Sequence, residues 1–461
     1  MSNQIHIIQN AITTTISEIF RGDFRRICEV KKAVLHLDAI YFCHGTCYLL
    51  KRENMPIKDQ LALYQRIELI PQSTTEFFEN NRECIINNWP EESALAAKPE
   101  ILYDALLASE FCVQPERVGY KIDKVSRDIA GAYYTSSDFS AQITYRALES
   151  YMDRKRRRAI DSDSFACCNE YENITFLDYS CGCGEFLLAV IQYFDNHVLG
   201  YSRKKLATQL RGVDVNPIAL MITIARIVSA VEAEDDENLL REVAKNFIVG
   251  NPLLHSDKIA PLEVRFDNFA LNRLYAETEG INCLELEQQN LVVLGNPPWE
   301  KLRFEERAFF RPVCPAISAI SQKNKREKEI KKLAVNWLEL LEYYQLLQDD
   351  YASVKKEIPK HPLLKVSLVG ELNTYAMFAE LASRLTEKDG FAAIIVKSAL
   401  VTSTCYSSCF RHFVNQGSLS EMFLFDNREK LFQIDSREKF CVLFFGGEHA
   451  GGIKVHYGLT K

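Results

Sequence analysis

The sequence predicts an α/β protein: a seven-stranded, doubly wound parallel sheet with a helical region ahead of it and a helical insertion within it. Three observations predict this. After residue 170, short apolar runs alternate with amphipathic stretches, the pattern of a parallel sheet covered by helices on both faces. Before residue 120, apolar positions recur at helical spacing in "AITTTISEIF" and "DQLALYQRIELI", with few β-branched alternations. Between "NPPW" and "GFAAIIV" lie roughly ninety residues, too many for a simple connection in a compact α/β unit.

The strands read, in order, as "NITFLDY", "LRGVDV", "NFIVGN", "NLVVLGN", "GFAAIIV", "EMFLFDN" and "KFCVLFFG". Each is short, apolar and bounded by turn-forming residues. The stretch "ELNTYAMFAELASRL" places Leu372, Tyr375, Ala376, Ala379 and Leu385 along one stripe, which suits a helix packed on the sheet. The expected organisation is a helical accessory domain over 1–120 and a sheet-bearing domain over 121–447 with its insertion at about 305–362. Residues 448–461 then read as the start of a linker.

Composition narrows the class. With 461 residues, 47% hydrophobic and 25% charged, the chain has room for two or three domains. No run approaches the roughly 18 apolar residues a membrane helix needs, and the polar start "MSNQIHIIQN" lacks the features of a leader, so a cytoplasmic protein without a membrane partner is expected. The fourteen cysteines are scattered, and no pair of CxxC knuckles completes a tetrahedral site, so no metal is expected. A formal charge of −7 opposes nonspecific coating of nucleic acid but is compatible with a local basic groove. The basic clusters "DRKRRR" (153–158) and "KNKREKEIKK" (323–332) each read as a solvated helix face or loop. Glu29 and Lys31 in "EVKK" match the end of a nuclease ExK triplet, but the surroundings offer neither a strand nor a partner carboxylate.

Three motifs carry chemistry. In "FLDYSCGCGEFLLAV" a strand ends at Asp178, glycines follow, and a helix opens near Glu185, so backbone can pass close to a ligand. The spacing is not GxGxxG, and carboxylates at 178 and 185 would repel a pyrophosphate, which favours a cationic or zwitterionic ligand. In "RGVDVNPIA", Asp214 ends the next strand, where a carboxylate can accept hydrogen bonds from ribose hydroxyls or cap the following helix. In "LVVLGNPPWEKL", Pro297 and Pro298 lock the backbone of a turn that carries an amide and a large flat aromatic at the end of a buried strand.

The order "GAYYT", "DYSCGCGEFL", "GVDVNPIA", "VGNPLL", "GNPPWEKL" resembles the γ-type S-adenosylmethionine-dependent N6-adenine DNA methyltransferases, in particular the modification domains of type IIG restriction-modification enzymes and related phage-defence (BREX-like) methylases. It covers about residues 121–447. The resemblance implies a Rossmann-like class I methyltransferase sheet, S-adenosylmethionine as cofactor and double-stranded DNA as partner. It implies cofactor contacts at Gly131, Tyr134 and Thr135, at Asp178, Ser180, Gly182 and Gly184, at Asp214 and Val215, and at Asn251. Asn296, Pro297, Pro298 and Trp299 match the catalytic tetrapeptide: the Asn296 oxygen and the Pro297 carbonyl would accept the two hydrogens of the adenine amine, and Trp299 would stack on the flipped base. Two features depart from the pattern: Asn251 stands where the family usually has an acid, and Cys181 and Cys183 occupy the glycine loop.

Two other classes compete. Glutamine methyltransferases acting on release factors share an N-P-P-aromatic turn, usually with tyrosine in fourth place, but they are shorter and leave "GAYYT" and the long insertion unexplained. A cofactor- or DNA-binding subunit with latent activity is the other. No base-reading domain is evident after residue 447, so specificity is expected to come from a further domain or a target recognition subunit.

Overall fold

The computed structural model describes residues 2–96, 98–107, 109–122, 135–161, 171, 173–257, 260–273, 280–282, 290–386, 389–416, 418–432, 434–446 and 452–460. Its strands are β1 (Ser109–Gln114), β2 (Arg117–Ile122), β3 (Thr175–Asp178), β4 (Leu210–Asp214), β5 (Phe247–Val249), β6 (Asn251–His255), β7 (Gly280–Ile281), β8 (Leu291–Gly295), β9 (Phe391–Lys397), β10 (Leu419–Asp426), β11 (Lys439–Phe445) and β12 (Lys454–Leu459). The central sheet runs β12-β10-β11-β9-β8-β3-β4-β5. Every neighbouring pair is parallel except the two that β11 makes, with β10 and with β9.

All seven strands expected from the sequence lie in this sheet, but the sheet has eight. The eighth is β12, in the segment read as the start of a linker. It pairs along β10, and polar contacts hold it there: His456 Nε2 lies 2.8 Å from Glu421 Oε1, while Arg146 donates to both Glu421 oxygens. The His456 ring also stacks on Phe423 at 4.2 Å. An edge strand whose residues are mostly solvated gives no apolar run, which is why the hydrophobic pattern passed over it.

The buried strands explain the rest. Leu291, Val292, Val293 and Leu294 are all buried, as expected of a parallel strand covered on both sides. The helices Ser137–Asp161, Glu185–His197 and Pro217–Ala230 pack side by side against β9, β3 with β8, and β4 with β5. The helix Thr374–Leu385 starts two residues later than its apolar stripe suggested, so Leu372 lies outside it and its carbonyl accepts from the Leu302 amide at 2.9 Å.

The N-terminal region is helical as far as Leu107, then forms the antiparallel hairpin β1–β2. Sixteen of the twenty-three residues of helix Ile27–Leu49 are buried, far more than one apolar stripe would cover. It packs on helix Pro217–Ala230, and its side chains belong to the same apolar core as the sheet. Glu29 and Lys31 are therefore helical positions. Within 305–362 the insertion folds into helices Glu306–Val313, Pro315–Ser318, Lys323–Asn336 and Leu338–Glu357.

The two basic clusters are not wholly solvated. Arg154 is buried and donates to the carbonyls of Asp389 and Gly390 at 2.7 Å and to that of Gly446, tying the ends of β9 and β11 to helix Ser137–Asp161. Arg326 is buried too, bonded to Glu306 and to the Ile320 carbonyl. Among the described basic side chains, Arg154 and Arg326 point inward, toward backbone or carboxylate oxygens that only a folded chain supplies.

Candidate functional site

Strand order places the site. From β3 the chain winds one way to β4 and β5, then returns to lay β8 on the other side of β3. The carboxyl ends of β3 and β8 therefore flank a reversal of winding, where open α/β sheets form a crevice. Asp178 ends β3 and Gly295 ends β8, and a Cβ added to Gly295 would sit 2.7 Å from Asp178 Oδ1. A side chain there would displace the Asp178 carboxylate from its place. The glycine loop and the "NPPW" turn consequently meet at this one point.

On the β3–β4 side, the loop after Asp178 is held by backbone amides. Asp178 Oδ1 accepts from Ser180 N at 3.0 Å, and Asp214 Oδ2 accepts from Gly182 N at 2.9 Å. Asp214 Oδ1 accepts from Asn216 N at 2.8 Å, and its carbonyl from Gly250 N at 2.9 Å, which brings Asn251 beside it. Gly184 is the left-handed residue before helix Glu185–His197; a Cβ there would lie 2.7 Å from Thr223 Cγ2. Beside Gly182, by contrast, an added Cβ would meet no atom within 4 Å. Val215 is exposed directly after Asp214.

Electrostatics favour a cation here. Burial, with the Asp214 carboxylate adding to it, pushes Asp178 up to about 8. Asp214 is also raised by burial, against three backbone hydrogen bonds that favour its charged form. Two desolvated carboxylates side by side each lose charge unless a positive group joins them. Burial pushes the Cys181 and Cys183 thiols well above the usual range, so both act as small neutral residues. Asn251 uses its side-chain oxygen locally, accepting from Leu253 N at 3.0 Å.

On the β8 side, the "NPPW" turn is clamped from helix Thr374–Leu385. The Thr374 hydroxyl donates to the Pro298 carbonyl and accepts from Glu300 N at 3.0 Å, while Thr374 N donates to the Glu300 carbonyl at 3.0 Å. Lys301 and Asn373 form an isolated antiparallel bridge. Asn296 Nδ2 donates to Thr135 Oγ1 at 3.1 Å, joining the turn to the last residue of "GAYYT". The Thr135 hydroxyl accepts this bond, so the amide is tied to that residue. Gly131 and Tyr134 lie outside the described residues.

Trp299 departs from the expectation of an open stacking face. Its indole is only 4% exposed, edge-on to Phe432 with ring centroids 5.2 Å apart and beside Phe440 at 6.1 Å. The sequence reading missed Phe432, Thr374 and Asn216. For Asn216 a signal was present: it directly precedes an apolar helix, where Asn is a capping residue, and its side chain accepts from Ile218 N; Thr374 is the first residue of its helix, one past the cap position Asn373, and carries no such mark. Phe432 sits in a loop with no periodicity to mark it.

No protein-family model matches the chain, and no curated protein matches it. Among solved structures, the chain is similar to the DrdV–DNA complex, with 13% identity and a TM-score of 0.49 over 99% of this chain. It is similar also to a nuclease-deletion mutant of the type ISP restriction-modification enzyme LlaGI bound to a DNA substrate mimic, with 13% identity and a TM-score of 0.48 over 99% of this chain. A third likeness is the type IIL restriction-modification enzyme MmeI in complex with DNA, with 12% identity and a TM-score of 0.43 over 98% of this chain. The chain spans 43%, 34% and 59% of those three proteins, respectively.

Proposed function

We propose that the chain is an S-adenosylmethionine-dependent methyltransferase that acts on N6 of an adenine flipped out of double-stranded DNA, in a restriction-modification or phage-defence setting. The observation that carries this reading is the meeting of two motifs at the carboxyl ends of β3 and β8: a glycine loop with two desolvated carboxylates, and a rigid Asn-Pro-Pro turn whose amide is bonded to Thr135. The open space beside Gly182 and the carboxylates of Asp178 and Asp214 fit a ligand with a positive amino acid end and a ribose.

In that reading Asp214 and Val215 hold the ribose side, with Asn251 next to them, and the loop from Asp178 to Gly184 holds the methionine side. Bound there, S-adenosylmethionine supplies an electrophilic methyl group. The protein's own task is to make a poor nucleophile attack. The adenine amine donates its lone pair into the ring, and acceptance of its two hydrogens by Asn296 Oδ1 and the Pro297 carbonyl favours a pyramidal nitrogen with that pair available. Both acceptors are placed in advance, because the prolines fix φ and Thr374 fixes the turn from outside.

The test is transfer of labelled methyl from S-adenosylmethionine to DNA and, side by side, to a peptide-release factor. Label in DNA, recovered as N6-methyladenine, is the expected result. Label on protein alone would replace this reading with glutamine methylation, and cofactor binding without transfer to either would favour a subunit that needs a target recognition partner.

A further inference from the structure

Helix Pro99–Leu107 belongs to the region read as accessory, yet two of its side chains reach the glycine loop. Glu100 and Tyr103 stand one turn apart, on the same helix face. Tyr103 is buried, and its hydroxyl accepts from Asn216 Nδ2. Asn216 Oδ1 in turn accepts from Ile218 N at 3.0 Å, and Asn216 N donates to Asp214 Oδ1 at 2.8 Å. Asn216 is thus held at three atoms, one of which aims the carboxylate whose other oxygen takes the Gly182 amide.

Glu100 reaches the same loop by a second route. Its carboxylate lies 3.9 Å from Arg226 Nε, and Arg226 also donates to Glu185 Oε1 at 2.7 Å and to the Cys183 carbonyl. None of the three charged side chains is more than 15% exposed. Screening by water is weak at such a site, so Arg226 is bound by hydrogen bonds to Glu185 and the Cys183 carbonyl and by charge to Glu100.

We infer that helix Pro99–Leu107 is a positioning element of the cofactor site: Tyr103 acts through Asn216 on Asp214, and Glu100 acts through Arg226 on the loop Cys181–Gly184. This rests on the reading of that loop as the S-adenosylmethionine site. Neither residue is catalytic. The bland alternative is a core tyrosine and a structural ion pair, whose loss lowers stability and leaves ligand affinity alone.

The experiment measures S-adenosylmethionine binding to the full chain by calorimetry, together with thermal stability and steady-state methyl transfer. Tyr103→Phe keeps the ring and removes only the hydroxyl, so the variant folds. Its Kd and KM for S-adenosylmethionine rise about three- to tenfold, the effect of losing one hydrogen bond, with kcat at saturation unchanged. In an Asn216→Ala background the same substitution no longer changes affinity, since its route is gone. Glu100→Gln raises Kd as well, and Glu100→Asp, which keeps the charge, restores part of the affinity. If the wild type binds and Tyr103→Phe and Glu100→Gln bind equally well with lowered melting temperatures, the positioning role is overturned and the cofactor reading stands. A wild type that does not bind S-adenosylmethionine overturns the cofactor reading itself.

Discussion

The hydroxyl of Thr374 donates to the Pro298 carbonyl and accepts from the Glu300 amide, so one side chain spans the turn that carries Asn296. Two prolines stiffen that turn from within, and Thr374 stiffens it from a neighbouring helix. Thr374→Val keeps the shape but leaves a part-buried carbonyl and amide without this partner, a cost of about 1 to 3 kcal/mol. The expected outcome is a fall in kcat of about five- to hundredfold with S-adenosylmethionine affinity unchanged, and near-normal rates in Thr374→Ser. Equal rates in Thr374→Val and the wild type would show that the prolines alone hold the turn.

Asn296 makes a sharper prediction. Its Nδ2 is engaged by Thr135 at 3.1 Å, and its oxygen is assigned to the target amine. Asn296→Ala removes an acceptor that matters only once the base has arrived. Methyl transfer is lost, while calorimetric affinity for S-adenosylmethionine stays within about twofold, since no ground-state cofactor contact is removed. Measurable turnover in that variant would end the assigned mechanism.

What the sequence reveals and what it hides divide along physical lines. Seven of the eight strands of the central sheet are legible, most plainly those inside it, because a strand buried on both faces reads as an unbroken apolar run, as "LVVLG" does. The edge strand β12 is not, because "KVHYGL" keeps mostly solvated side chains and gets its place from His456 and Glu421, which pattern alone cannot pair. The chemistry-bearing strand ends are legible from their place: Asp178 follows "TFL", Asn296 follows "LVVLG", and Asp214 ends the short stretch "LRGV". Tyr103 is hidden because its partner, Asn216, lies 113 residues away and only the fold brings them together. Arg154 is hidden among neighbouring basic residues, and only the carbonyls it reaches distinguish it.

Asp178 gives the site a pH dependence whose sign can be worked out. Burial pushes its carboxyl up to about 8, from 3.8 for the exposed group. Between those values the folded chain keeps a proton that the unfolded chain has lost, so this contribution to stability is complete below about 4 and lost as pH rises through about 8. The melting temperature should therefore fall between pH 5 and 8 more steeply in the wild type than in Asp178→Asn, which does not titrate. A cationic ligand reverses the balance by favouring the carboxylate, so binding S-adenosylmethionine at pH 7 should release protons. Calorimetry in buffers of different ionisation enthalpy reads that release directly. Its absence, with equal melting profiles, would mean that Asp178 is already ionised.

Trp299 and Phe432 set the last prediction. With ring centroids 5.2 Å apart, no third ring fits between them, so a flipped base reaches the indole only if one of the two turns away. Phe432 is held at both of its backbone atoms: Asn427 accepts from its amide at 3.0 Å and donates to its carbonyl at 2.9 Å. Phe432 is buried and also packs edge-on to Phe440 at 4.9 Å, so stacking a base on the indole requires this ring to leave the core while its backbone stays, with Trp299 then one wall and Phe432 the other. The exchange gives up the burial of that ring, about 1.5 to 3 kcal/mol, and an aromatic pair contributing about 0.5 to 1.5 kcal/mol more, while a base stacked on an aromatic returns about 1 to 3 kcal/mol. Phe432→Ala should then lower kcat/KM for DNA about five- to hundredfold, without changing S-adenosylmethionine affinity, and DNA carrying a mismatched target adenine should recover part of the loss because less unstacking is needed. Unchanged DNA kinetics, accompanied by a lower melting temperature, would return both rings to the core and require another face for the base.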